Sequence, residues 1–184
     1  MIQDFLIPFI SIGLAELGDR TQLAVLCLAS KTQKYLQLLL GVILAFAITD
    51  GLAIILGNFI TAHIPTFYIK IVSGAIFIIF GIIMLINNKS EEAHCELKQP
   101  FASGFLLILV SEMGDKTQIA AGLFATKYNA FIVFIAVLSS LTVLSVMAVY
   151  LGKYIALKIN KKVISLVAGI MFIVLGILFF FKVK

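Results

Sequence analysis

The amino-acid sequence predicts an all-α polytopic membrane protein: six transmembrane helices arranged as two inverted three-helix repeats. Three observations carry that fold class. The chain of 184 residues is 62% hydrophobic and only 12% charged, whereas an ordinary soluble domain carries about 25% charged residues. Its apolar residues fall into six runs, each long enough for the roughly 20 residues that cross a bilayer. The two halves of the chain also repeat one another, three runs to each half.

The runs lie at about 4–29, 36–61, 67–86, 101–126, 130–156 and 163–181. The first carries Glu16, Asp19 and Arg20 and lacks a basic leader, so it reads as a mature helix rather than a signal peptide. Pro8 is expected to kink it near its start. The second run holds a lone Asp50. The third and sixth carry Gly74, Gly81, Gly169 and Gly176, small residues that permit close helix packing. His63, beside Pro65, reads as a surface residue at a helix end. Cys27 lies in the first run and Cys95 in the polar stretch 87–100; this is no cysteine framework, and a bond between the two is not expected. His94 and Cys95, among Glu91, Glu92 and Glu96, lack a ligand-spaced partner pair and read as a solvated loop.

The repeat is legible position by position. At an offset of 96, Phe5 matches Phe101, and Ala29 and Lys31 match Ala125 and Lys127. After a one-residue deletion the offset is 95, and Gly57, Gly74 and Gly81 match Gly152, Gly169 and Gly176. The expected organisation is a first three-helix repeat (1–86), a cytoplasmic linker (87–100) and a second repeat (101–184). Three spans are an odd number, so the second copy enters the membrane from the opposite side. Such inverted repeats recur in transporters, with the substrate site near the midplane at the repeat interface. The net charge of +5 is a topology signal rather than a nucleic-acid surface. Outside the motif described next, eight lysines fall in loops 1–2, 3–4 and 5–6 and four on the opposite face. By the positive-inside rule both termini lie outside the cytoplasm.

Two stretches carry the chemistry: Glu16-Leu17-Gly18-Asp19-Arg20-Thr21-Gln22-Leu23-Ala24 and Glu112-Met113-Gly114-Asp115-Lys116-Thr117-Gln118-Ile119-Ala120. Six of their nine positions are identical. An ionised side chain inside a bilayer costs roughly 2.5–3.5 kcal/mol on insertion scales, so charges placed there twice point to function. On a regular helix, Glu16, Asp19, Arg20 and Leu23 share an arc of about 100°, with Gln22 at its edge and Thr21 pointing away. Antiparallel contact with the matching face of the fourth run brings four carboxylates together. Alternatively, Gly18 and Gly114 mark bends that free backbone carbonyls as ligands; the sequence leaves both open.

The candidate metal ligands are Glu16, Asp19, Glu112, Asp115, Gln22 and Gln118. Hard oxygen donors suit Mg²⁺, Ca²⁺ and Mn²⁺, and the absence of His from every run argues against zinc, copper, nickel and haem. Asp50, Arg20 and Lys116 are the candidates for proton coupling or charge tuning. Thr21 and Thr117 are secondary, because a membrane-helix threonine usually bonds back to its own helix carbonyl. Ion pairs from Glu16 to Arg20 and from Glu112 to Lys116 would leave Asp19, Asp115 and Asp50 unexplained. Five acids against two bases leave a formal −3 that protons or a cation must offset.

The doubled Glu-x-Gly-Asp-(Lys/Arg)-Thr pattern resembles the Gdt-type cation/proton antiporter family, which includes the bacterial MneA-type manganese exporters. The resemblance covers essentially the whole chain. It implies export of Mn²⁺, with Ca²⁺ as a further cargo, in exchange for protons and with the acidic motif residues as ligands. The short linker looks like the bacterial form, which implies an inner-membrane location. The expected partners are a divalent ion, protons and the lipid bilayer, with no nucleic acid and no cofactor beyond the transported ion; a homo-oligomer stays open. Rival readings are an exporter of small organic cations of the basic amino-acid type and a divalent cation channel. No nucleophile or cofactor motif supports an enzyme.

Overall fold

A computed structural model describes residues 1–86, 99–155 and 161–181. The described residues form eight helices and no strand: α1 (Ile2–Glu16), α2 (Arg20–Ser30), α3 (Tyr35–His63), α4 (Thr66–Ile86), α5 (Pro100–Glu112), α6 (Lys116–Lys127), α7 (Ala130–Ile155) and α8 (Lys161–Phe181). Two segments, Tyr35–Ile60 of α3 and Ala130–Tyr150 of α7, are long and apolar enough to cross a membrane.

Six expected runs become eight helices because the first and fourth are each broken in two. The breaks fall at Leu17–Asp19 and Met113–Asp115, inside the repeated motif. Each turns on a glycine in the left-handed region, Gly18 at φ 79° and Gly114 at φ 85°, a conformation that costs other L-residues roughly 1–2 kcal/mol. A single continuous arc of charge is therefore not what forms. Each motif spans the end of one half-helix and the start of the next.

Packing runs chiefly between the two halves of the chain: α3 lies against α5 and α6, α7 against α1 and α2, and α4 against α8. Glycines set the closest approaches. A Cβ on Gly41 would lie 2.2 Å from the Phe101 carbonyl oxygen, and one on Gly57 would lie 2.1 Å from that of Gly122. In the α4–α8 contact, Gly81 meets Gly169 and Gly176 meets Gly74 through backbone oxygens. Beside them Phe77 stacks on Phe172, ring centroids 5.5 Å apart, and also meets Phe124 of α6 at 5.1 Å. The outward faces are apolar: on α3, Leu36, Leu40, Leu44, Ile48, Leu52 and Ile55 are all exposed. Apolar surface on that scale suits lipid rather than water.

Pro8 lies inside α1 and is buried. His63 is exposed, as expected, with its Nδ1 2.9 Å from the Phe59 carbonyl. The expectation that Cys27 and Cys95 are not bonded to each other falls on Cys95, which is not among the described residues. Cys95, His94 and the remainder of 87–98 lie outside the described residues.

Candidate cation site

Breaking a helix leaves the last carbonyls of one half and the first N–H groups of the next without intrahelical partners. The motif glutamines meet part of that need. The Gly18 N–H donates to Gln22 Oε1 at 3.0 Å, and the Gly114 N–H donates to Gln118 Oε1 at 2.6 Å. Both amide oxygens expected as metal ligands are thus engaged in shaping the turns. The Gln118 amide also donates from Nε2 to the Thr49 carbonyl of α3 at 2.9 Å. The equivalent Nε2 of Gln22 is buried and has no hydrogen-bond partner.

Three of the four expected carboxylates converge. One oxygen each from Glu16, Asp19 and Asp115 lies within 4.8 Å of the other two. Glu16 ends α1 and is 2% exposed, so its carboxyl is out of reach of bulk water. Asp115 caps the start of α6 without spending its side chain on the cap, which leaves that carboxylate for the cluster. Among them sits the Lys116 ammonium. It bonds to Asp19 and lies 3.7 Å from Glu16 Oε1 and 3.6 Å from Asp115 Oδ2. A cation already occupies the centre of this oxygen cluster, and it is tethered to the chain.

Glu112 stands apart from that cluster. Its Oε1 accepts the Thr21 hydroxyl at 2.7 Å, and its Oε2 lies 3.5 Å from the Thr117 hydroxyl. Thr21, expected to point away and to bond within its own helix, is buried and reaches across to the other motif instead. The break accounts for this, because it resets the rotation of α2 relative to α1. Threonine bonding to its own helix does occur, at Thr49. Asp50 is buried in α3, next in sequence to the carbonyl that receives Gln118. The side chain of Arg20 lies outside the described residues. Sequence reasoning missed Thr49, whose contribution is a backbone oxygen with no side-chain signature. It also missed Phe46, Leu144 and Ser145, which with Glu16, Thr21 and Gln22 line a small cavity behind the cluster. Asp50 and its repeat counterpart Ser145 were the nearest available signals.

Fold and site together define a helical membrane protein with an internal cluster of carboxylates gathered around a lysine ammonium. The chain belongs to the divalent cation/proton antiporter GDT1 family, whose model matches residues 4–92 and 100–184. It is 30% identical to a GDT1-like protein of Synechocystis over 94% of both chains. It is 29% identical to a Vibrio cholerae protein named "Putative manganese exporter", over 93% of this chain and 87% of that one. A Saccharomyces cerevisiae divalent cation/proton antiporter is 30% identical over 42% of this chain and 27% of its own. No solved structure matches the chain significantly.

Proposed function

We propose that this protein exports Mn²⁺ from the cytoplasm across a bacterial inner membrane in exchange for protons, with Ca²⁺ as a second cargo. The observation that carries the reading is the Lys116 ammonium held among Glu16, Asp19 and Asp115. Those oxygens are hard donors of the kind Mn²⁺ and Ca²⁺ prefer. A hard divalent ion binds oxygens at about 2.0–2.6 Å, so the carboxylates close in as the ammonium leaves. Glu112 completes the ligand set when released from Thr21. Protons arriving from outside neutralise the carboxylates, expel the ion and reset the carrier, and Asp50 serves as a proton carrier beside the site. Manganese is favoured as cargo by the name of the Vibrio cholerae relative.

The architecture that supports alternating access is six membrane-spanning segments in two inverted repeats, 1–86 and 101–184, with both termini outside the cytoplasm. The α4–α8 contact favours it. Gly74 and Gly81 align with Gly169 and Gly176 in the repeat, yet they pack crosswise, 74 on 176 and 81 on 169. Phe77 stacks on Phe172, its own equivalent at the offset of 95. Reciprocal contacts of this kind are the pattern a two-fold axis produces.

The test is transport in proteoliposomes under imposed pH gradients, with Mn²⁺, Ca²⁺ and Mg²⁺ compared. Flux that follows the pH gradient and saturates is expected, with Mn²⁺ ahead. Glu16→Gln and Glu112→Gln should each abolish it. Flux indifferent to pH would indicate a channel, and unaltered flux in both variants would remove these carboxylates from the site.

A further inference from the structure

The two motifs are near-identical in sequence but are not in identical states. Thr21 donates to Glu112 at 2.7 Å, while its repeat equivalent Thr117 makes no bond to Glu16 and instead lies 3.5 Å from Glu112. That distance is at the outer limit of a hydrogen bond. Gln118 Nε2 donates to the Thr49 carbonyl at 2.9 Å. At the offset of 95 the matching acceptor for Gln22 is the Leu144 carbonyl, yet Gln22 Nε2 is buried without a partner. In place of that bond lies a cavity with room for about one water, lined by Gln22, Leu144, Ser145 and Glu16. Glu16 Oε1, the other unpartnered buried polar atom here, also lacks a hydrogen-bond donor, the Lys116 ammonium lying 3.7 Å away. Both differences run the same way: one half-site is bonded shut and the other stands open.

We infer that Thr21 and Thr117 are alternating latches, each securing the opposite motif's glutamate in one of the carrier's two states. In the state described, Thr21 withholds Glu112 from the cation cluster and Gln118 ties α6 to α3. In the mirror state Thr117 withholds Glu16, Gln22 donates to the Leu144 carbonyl, and the Gln118–Thr49 bond gives way to a cavity beside Asp50. The ligand set is then completed alternately from either half, so exchanging two hydroxyl bonds redirects the site from one face to the other. The two threonines are positioning residues that act through the glutamates. The inference rests on the antiporter reading and on the two-fold relation of the repeats.

The experiment measures half-saturating Mn²⁺ at each face, using right-side-out and inside-out vesicles that contain the full-length protein. Thr21→Val removes a bond present only in the described state, and Thr117→Val removes its mirror. The ratio of the two half-saturating concentrations should therefore move roughly three- to tenfold in opposite directions for the two variants, the range expected for one buried hydrogen bond. The double variant should return to within about twofold of the natural ratio. Thr21→Ser and Thr117→Ser, which keep the hydroxyl, should match the natural protein. If the valine forms fail to accumulate, Thr21→Ala and Thr117→Ala carry the same opposed signs. Shifts in one direction, or none, in a chain that still exchanges Mn²⁺ for protons would overturn the latches alone. A natural chain that moves no divalent ion would overturn the functional reading and the latches with it.

Discussion

Lys116 separates three carboxylates that would otherwise repel one another, and removing it isolates that task. With Lys116→Met, Glu16 at 2% exposure is left among like charges without its counter-ion. Breaking such a buried pair from one side typically costs about 3–5 kcal/mol. The variant should therefore melt well below the natural protein in metal-free detergent. On the proposed reading a divalent ion takes the place of the missing charge, so saturating Mn²⁺ should raise its melting temperature more than it raises that of the natural protein. Equal shifts in a thermal-unfolding assay would show that the ammonium and the ion do not share a place. At this scale the residue types were legible in the sequence, and their partners were not. Glu16, Asp19 and Asp115 stood out as carboxylates in an apolar run, but which three would meet depended on rotations about Gly18 and Gly114. Thr21 was undervalued for the same reason, since its bond to Glu112 exists only because α2 does not continue α1 in register.

The elements were legible nearly to the residue where hydropathy alone decides them. The runs at 36–61 and 67–86 correspond to α3 and α4, Tyr35–His63 and Thr66–Ile86. The two breaks were not resolved, because an apolar run reads the same whether or not it contains one left-handed glycine. The glycines themselves divide into two kinds, which gives a prediction about stability. At Gly114 a Cβ meets nothing within 4 Å, so Gly114→Ala should cost only the left-handed backbone term, about 1–2 kcal/mol. At Gly41 the added Cβ meets the Phe101 carbonyl at 2.2 Å, and backbone cannot step aside as a flexible side chain can. Gly41→Ala should therefore push α3 away from α5, at a cost of roughly 1–3 kcal/mol or more from overpacking. Detergent-solubilised melting curves should rank Gly41→Ala at or below Gly114→Ala. Transport should rank differently, because Gly114 shapes the turn that presents Asp115 whereas Gly41 is remote from the cluster. A Gly114→Ala protein that keeps full transport would argue that the turn geometry is not needed for the site.

At the scale of the molecule, the halves are copies in sequence but not independent units in packing. The α4–α8 contact, the α3 contacts with α5 and α6, and the α7 contacts with α1 and α2 all join one half to the other. Within the first half only a slight α2–α3 contact stands out among the described helices. The buried core is one cluster drawn from both halves, from Ile12 and Val42 in the first to Ile108 and Val137 in the second. Helix association in a membrane depends on close packing and interhelical hydrogen bonds, and here those lie between halves. A chain cut between 86 and 99 should therefore behave in a particular way. Expressed together, the pieces should co-purify and restore exchange of Mn²⁺ for protons, because the interface rather than the covalent link holds them. Expressed alone, either piece should fail to accumulate, since its glycine-lined faces would meet lipid or a wrong partner. Co-purification followed by vesicle transport checks both parts. A single half that accumulates as a folded monomer would contradict the interleaved packing on which the proposed cation site depends.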